Sequence, residues 1–278
     1  MRRTCIQLGA TALIALVLIG AVACAPANSA DGTAARNADV ASSSDSETLY
    51  QWSTISALTI GLYQPAVTVG EIRNTGNTGL GTFTALDGEM VVDEGVVYQV
   101  RADGTVVSSS DESSSPFAAV TYFDVDRTVE ITGAPTYDAL KKSLDAQMPT
   151  VNDIRVIRIP GHFDYLKTRS VPAQTEPYPP LADVTAKQSV FEFRDVDGVL
   201  VGVWCPAWIG QINAPGYHFH FLTADKTGGG HVLEVATRGA KAQVDITPKF
   251  GLSIPETKEF QQVDLAGDYQ KQIDAAEK

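Results

Sequence analysis

From residue 67 to residue 248 the chain is a succession of short β-rich runs broken by turns, with little helical periodicity between them. VTVGEI, GTFTALDG, EMVVDEG, VVYQVRADG and TVV come first, punctuated by Asp-Gly and Glu-Gly pairs that favour tight hairpin turns. IRVIRIPG, FDYLKTRSV, QSVFEFRDVDG, VLVGVWCP, YHFHFLTAD, HVLEVATRG and KAQVDITP follow, again joined mainly by turns. Parallel strands need long crossovers, usually helical, and this pattern leaves little room for them. The expected fold is therefore α+β, with mixed and mostly antiparallel sheets in two closely packed lobes and a few helices. One helix is expected over TLYQWSTISALTIGLY, where Leu49, Trp52, Ile55, Leu58 and Leu62 recur at helical spacing, and another over PTYDALKKSLDAQ, ending before Pro149. VPAQTEPYPP, residues 171–180, reads as a Pro-rich connection without regular structure.

The start of the chain lies outside that pattern. Residues 1–23, MRRTCIQLGATALIALVLIGAVA, run from a basic start through an apolar stretch to a small-residue exit, the layout of a secretory signal peptide. Its apolar run is short for a spanning helix, which needs about 20 residues. Ala21-Val22-Ala23-Cys24 resembles a bacterial lipobox, in which Cys24 would be lipidated and anchor the chain to a membrane; Ala21-x-Ala23 equally suits ordinary signal cleavage and secretion. Residues 24–47 are small and polar, unable to offset their ordering entropy by burial, and read as a flexible tether. The folded body is then expected over 48–278, with an N-terminal lobe at about 48–147 and a C-terminal lobe at about 150–278.

The formal charge of −12 argues against binding to nucleic acid or to an anionic membrane surface. Cys5 lies in the leader and Cys205 stands alone in the body, so no disulfide is expected within it. Stability must come from packing and from any bound metal.

Three of the four histidines fall in GYHFHFLTADKTGGGHV, residues 216–232. On a strand, successive side chains face opposite ways, so His218 and His220 project from one face while Phe219 points from the other. A glycine-rich turn then lets His231 return beside them on the next strand. A lone His-x-His would more often be a polar surface pair; the third imidazole across a hairpin favours a metal centre. Three imidazoles leave coordination positions open, the mark of a catalytic zinc site. His162, in PGHFDY, has no such partners and reads as a surface or structural residue.

GYHFHF followed by GGHV resembles the metal-binding signature of the α-acetolactate decarboxylases. STISALTIGLY, GEIRNTGNTGLGTFTALDGEM, VVYQVRADG, KTRSVP and the final helical segment resemble that family in the same order, over roughly residues 48–278. The resemblance implies that His218, His220 and His231 hold Zn2+ and that Glu89, in LDGEM, reaches the metal from the N-terminal part. It places Thr82, in GTF, beside the ligand and Arg169, in KTRSVP, on the substrate. Glu277, in DAAEK, would close the site from the tail. The family also implies a homodimer joined through N-terminal sheets.

The implied reaction is decarboxylation of 2-acetolactate to acetoin and carbon dioxide, a carboxy-lyase activity in the butanediol pathway. The substrate's hydroxyl and keto oxygens would chelate zinc, which acts as a Lewis acid and stabilises an enediolate. Arg169 would grip the departing carboxylate, and Glu89 or Glu277 would return a proton. Two alternatives stand beside this reading. One is an exported zinc hydrolase with Glu89 as base, which needs no arginine clamp. The other is a non-enzymatic zinc-binding lipoprotein, for which the histidine-free tether offers no support.

Overall fold

Residues 45–148 and 150–277 are described by a computed structural model of the chain; the expected signal peptide, Cys24 and all but the last three residues of the expected tether lie outside them. The first half runs β1 (Thr48–Trp52), α1 (Ile55–Thr59), β2 (Val67–Thr68), α2 (Val69–Arg73), β3 (Thr78–Thr82), β4 (Glu89–Asp93), β5 (Val96–Val100), β6 (Val106–Ser108), β7 (Ser114–Ser115) and β8 (Ala118–Thr121). Then come β9 (Arg127–Ile131), α3 (Tyr137–Gln147), β10 (Arg155–Ser170), α4 (Leu181–Thr185), β11 (Ser189–Cys205), β12 (Gly216–Thr223), β13 (Gly229–Ala236), β14 (Ala240–Ile246), β15 (Lys249–Ser253), α5 (Lys258–Gln262) and α6 (Gln270–Glu277).

Two sheets carry the molecule, one ordered β15-β1-β8-β3-β4-β5-β6 and the other β11-β12-β13-β10-β14-β9. Apart from β1 with β15, every strand pairing among the described residues is antiparallel, as expected for strands joined by turns. In the second sheet β10 also pairs with β11, so β10, β11, β12 and β13 close into a ring and leave no free edge among themselves. One face of that sheet packs Phe163, Leu166, Phe219, Phe221 and Val244 under Leu140 and Leu144 of α3. The other meets the first sheet through Val199, Val201 and Leu222 against Val91 and Val100, and through Val156 and Val203 against Leu49 and Leu80.

The sheets do not divide the chain near residue 148. β9 and α3 already belong with the second sheet, and β15 returns to the edge of the first. Residues 45–47, the end of the expected tether, hydrogen-bond to the body: the Lys249 amide donates to the Glu47 carbonyl at 3.0 Å, and Thr48 Oγ1 donates to Asp45 at 3.0 Å.

The helix expected over 48–62 is instead strand β1 followed by the short helix α1. β1 is paired on both edges, parallel to β15 and antiparallel to β8, and Leu49 and Gln51 are both fully buried. Pairing with a strand 200 residues away in the chain overrides the local 3.6-residue periodicity. α1 starts where Thr54 Oγ1 accepts the Ala57 amide at 3.2 Å. The helix expected over PTYDALKKSLDAQ is present as α3, capped by Thr136.

Candidate metal centre and substrate cavity

The strand alternation of β12 sorts its side chains. Phe219 and Phe221 enter the core on one face, Phe221 edge-on to Phe163 with ring centroids 5.6 Å apart. That burial, about 1.5–3 kcal/mol per side chain, fixes the register and turns His218 and His220 to the other face, toward the first sheet. His220 lies directly opposite His231 of β13, and His231 directly opposite Arg169 of β10. Arg169, His231 and His220 therefore stand side by side on three adjacent strands. Gly230 makes this approach possible: its φ is +124°, and a Cβ there would sit 2.4 Å from the Arg169 carbonyl oxygen.

The imidazoles converge on one point. His218 Nε2 is 3.2 Å from His220 Nε2 and 3.1 Å from His231 Nδ1, and all three residues are buried. His220 Nδ1 donates to the Met90 carbonyl at 2.7 Å, which leaves its Nε2 bare and aimed inward. Burial, with the Arg169 charge nearby, pushes His218 down to about 3; burial also pushes His220 to about 3 and His231 well below its usual value. Imidazole nitrogens this close need either a shared proton or a cation between them.

The opposite wall comes from the first sheet. Thr82 and Glu89 face each other across β3 and β4, and Glu89 Oε2 is 3.5 Å from His220 Nε2. The turn between them is tight: Ala85 and Leu86 take φ of 61° and 59°, and Gly88 takes 85°, where a Cβ would meet the Val100 carbonyl at 2.4 Å. Thr82 Oγ1 donates to the Gly88 carbonyl at 2.7 Å and so ties this turn down. Burial pushes the Glu89 carboxyl up to about 7, against the pull of Arg169.

The third wall is α6. Ile273 and Ala276 pack against Ile55 and Leu58 of α1 and Leu181 of α4. Arg169 Nη2 donates to the Ala276 carbonyl at 2.7 Å, and Glu277 Oε2 comes within 3.3 Å of His218 Nε2. Together the walls line a partly open cavity of about 370 Å³, the open space at its mouth included, with its apolar side formed by Ile55, Leu58, Leu86, Phe117, Val171 and Leu181. Arg169 Nε and Glu277 Oε2, on two of the residues that line the cavity, are buried without a hydrogen-bond partner. Such orphans are uncommon in folded proteins and mark a place shaped for a ligand.

A profile described as Alpha-acetolactate decarboxylase matches residues 49–267. The enzyme of that name from Methanosarcina mazei is 39% identical over 237 residues, covering 85% of this chain and 82% of the relative. The one from Brevibacillus brevis is 36% identical over 229 residues, covering 82% and 80%. The crystal structure of α-acetolactate decarboxylase from Bacillus subtilis strain 168 superposes with a TM-score of 0.80 at 33% identity, covering 83% of this chain and 99% of that one. The chain belongs to the α-acetolactate decarboxylase family. It is thereby an enzyme, a carboxy-lyase.

All seven residues singled out in the body from the family resemblance come together in this decarboxylase fold: Thr82, Glu89, Arg169, His218, His220, His231 and Glu277 line one cavity. Glu277 lies beyond the matched span of 49–267, so its place rests on the packing of α6. His162 is exposed, 3.0 Å from Asp197 and away from the cavity lining. Sequence reasoning missed the Met90 carbonyl and the apolar wall. A backbone oxygen has no side-chain signature, and the wall is gathered from residues scattered between 55 and 181.

The buried histidines also make a stability prediction for the metal-free decarboxylase. Because folding depresses His218 and His220 from 6.5 to about 3, and His231 well below 6.5, they contribute stability that is lost as pH falls through that window. Glu89, raised from 4.5 to about 7, acts in the opposite sense only above 4.5. Thermal melts of metal-free protein should therefore drop most steeply between about pH 4.5 and pH 3, and His218→Asn should flatten that drop.

Proposed function

We propose that the protein decarboxylates 2-acetolactate to acetoin and carbon dioxide, with Zn2+ held by His218, His220 and His231. The observation that carries this reading is the buried Arg169 guanidinium beside the three imidazoles, its Nε without a partner. The donor set fits zinc. Nitrogens about 2.0–2.1 Å from a tetrahedral ion stand roughly 3.3–3.4 Å apart, close to the 3.1–3.2 Å seen here, and a three-histidine set with an open side is a catalytic arrangement. When bound, zinc supplies a Lewis acid that draws electrons through the substrate's ketone.

The chain's own groups do the rest. Arg169 offers its unpartnered Nε to the substrate carboxylate and orients that bond for cleavage. Ile55, Leu58, Phe117 and Leu181 pack around the substrate's methyl groups and keep water from the reacting carbon. As carbon dioxide leaves, its bonding electron pair stays on that carbon and must take up a proton. Glu89 and Glu277 flank the histidines from opposite walls, and burial raises both carboxyls so that either can arrive protonated. Thr82 holds the Glu89 turn in place through Gly88. A hydrolase has no use for a carboxylate clamp facing the metal ligands, which places that alternative second.

The test is release of carbon dioxide and acetoin from racemic acetolactate by the purified protein. Production of both supports the reading; a protein with full zinc content and no acetoin would overturn it. Glu277→Gln fills the same space without cycling a proton, so it should keep zinc and lower turnover by about a hundredfold or more. Truncation of residues 275–278 should do the same, and unchanged turnover in both would leave Glu89 as the proton carrier. The export reading, with lipidation at Cys24 or ordinary cleavage after Ala23, is likewise a proposal, tested by the mass of the mature N-terminal peptide. The homodimer is tested by sedimentation.

A further inference from the structure

A second cluster of ligand-type side chains lies where the chain leaves the first sheet for the second. Asp124 and Asp126 sit in the segment between β8 and β9, Asp126 at a bend just before β9 begins. β9 pairs with β14, whose Asp245 completes the group: one carboxylate oxygen from each of the three lies within 4.8 Å of the others. The Ile246 amide donates to Asp126 Oδ2 at 2.8 Å, and the Asp124 amide reaches Asp245 Oδ2 at 3.3 Å.

Asp245 is the unusual member. It is only 1% exposed, and its Oδ1 is buried with no hydrogen-bond partner. Among the described residues, none of the three carboxylates lies within ion-pair distance of a lysine, arginine or histidine. Burial, reinforced by the negative charges of Asp124, Asp126 and Glu47, pushes the Asp245 carboxyl up to about 8. A buried carboxylate with one oxygen unpartnered, grouped with two further carboxylates, calls for either a proton or a cation.

We propose that Asp124, Asp126 and Asp245 bind a divalent cation of the hard, oxygen-preferring kind, Ca2+, separate from the histidine centre. All the side-chain donors are carboxylate oxygens and none is nitrogen or sulfur, the set that suits calcium rather than zinc. The two exposed aspartates give the ion an entry path, and Asp245 anchors it to the sheet. Because Asp124 follows β8 of the first sheet while Asp245 belongs to the second, the ion would clip the two sheets together at their crossover.

The test uses the zinc-loaded protein, with calcium chloride as the probe. Thermal unfolding should shift upward by about 5–10 °C once calcium exceeds its Kd about a hundredfold. The double variant Asp124→Asn/Asp126→Asn, altered only at exposed positions, should fold, keep its zinc and lose the shift. Asp245→Asn should also lose it. An equal shift in the double variant, or none in the wild type, would overturn the proposal and leave Asp245 as a buried protonated acid, in which case Asp245→Asn would melt like the wild type with or without calcium.

Discussion

Replacing His220 with alanine is expected to strip zinc and turnover together, with activity falling by on the order of a thousandfold, the upper end of what losing an electrophilic contact costs. The argument is geometric. His220 is held by the Met90 carbonyl on one side and stands directly opposite His231 on the other, so its Nε2 is one of only three convergent imidazole nitrogens. Two remaining imidazoles leave the ion too many open positions to be retained. His218→Ala and His231→Ala should behave alike. His162→Ala should change neither metal nor rate, because that ring is half exposed and pairs with Asp197 and Asp195 at the surface. Metal analysis and rate on the same preparations check this, and full zinc content in any of the three ligand variants would end the site assignment.

Arg169→Lys is expected to keep fold and zinc while losing about a hundredfold in kcat/KM. An ammonium preserves the charge but not the planar fork: Nη2 holds the Ala276 carbonyl at 2.7 Å, and the unpartnered Nε is the group we propose for the substrate carboxylate. The same substitution should loosen α6, which proteolysis near the tail would register. A variant with the wild-type rate would remove the clamp from the account.

Much of the site was legible because it is written in side chains at strand spacing. His218 and His220 alternate with core phenylalanines, and His231 follows a glycine turn, so the pairing of β12 with β13 could be anticipated. Other features depend on partners distant in the chain. β10 and β11 each read as two strands because Pro160-Gly161 and Asp197-Gly198 look like turns. In the fold these breaks lie opposite each other, Pro160 across from Val199 and Gly161 across from Gly198, and the ladder runs through both. β1 was masked by helical spacing that its two neighbours override. Glu277 is held because Ile273, fully buried, anchors α6 against α1 and α4, a packing between segments far apart in the chain.

Zinc-dependent decarboxylation is tested most directly by titration. Protein stripped with a chelator is supplied with increasing zinc, and acetoin formed from acetolactate is measured at each step. The account predicts negligible acetoin from the stripped protein and a linear rise that breaks at one zinc per chain. Full turnover in the zinc-free protein, or a rise that survives in His218→Ala, would contradict it.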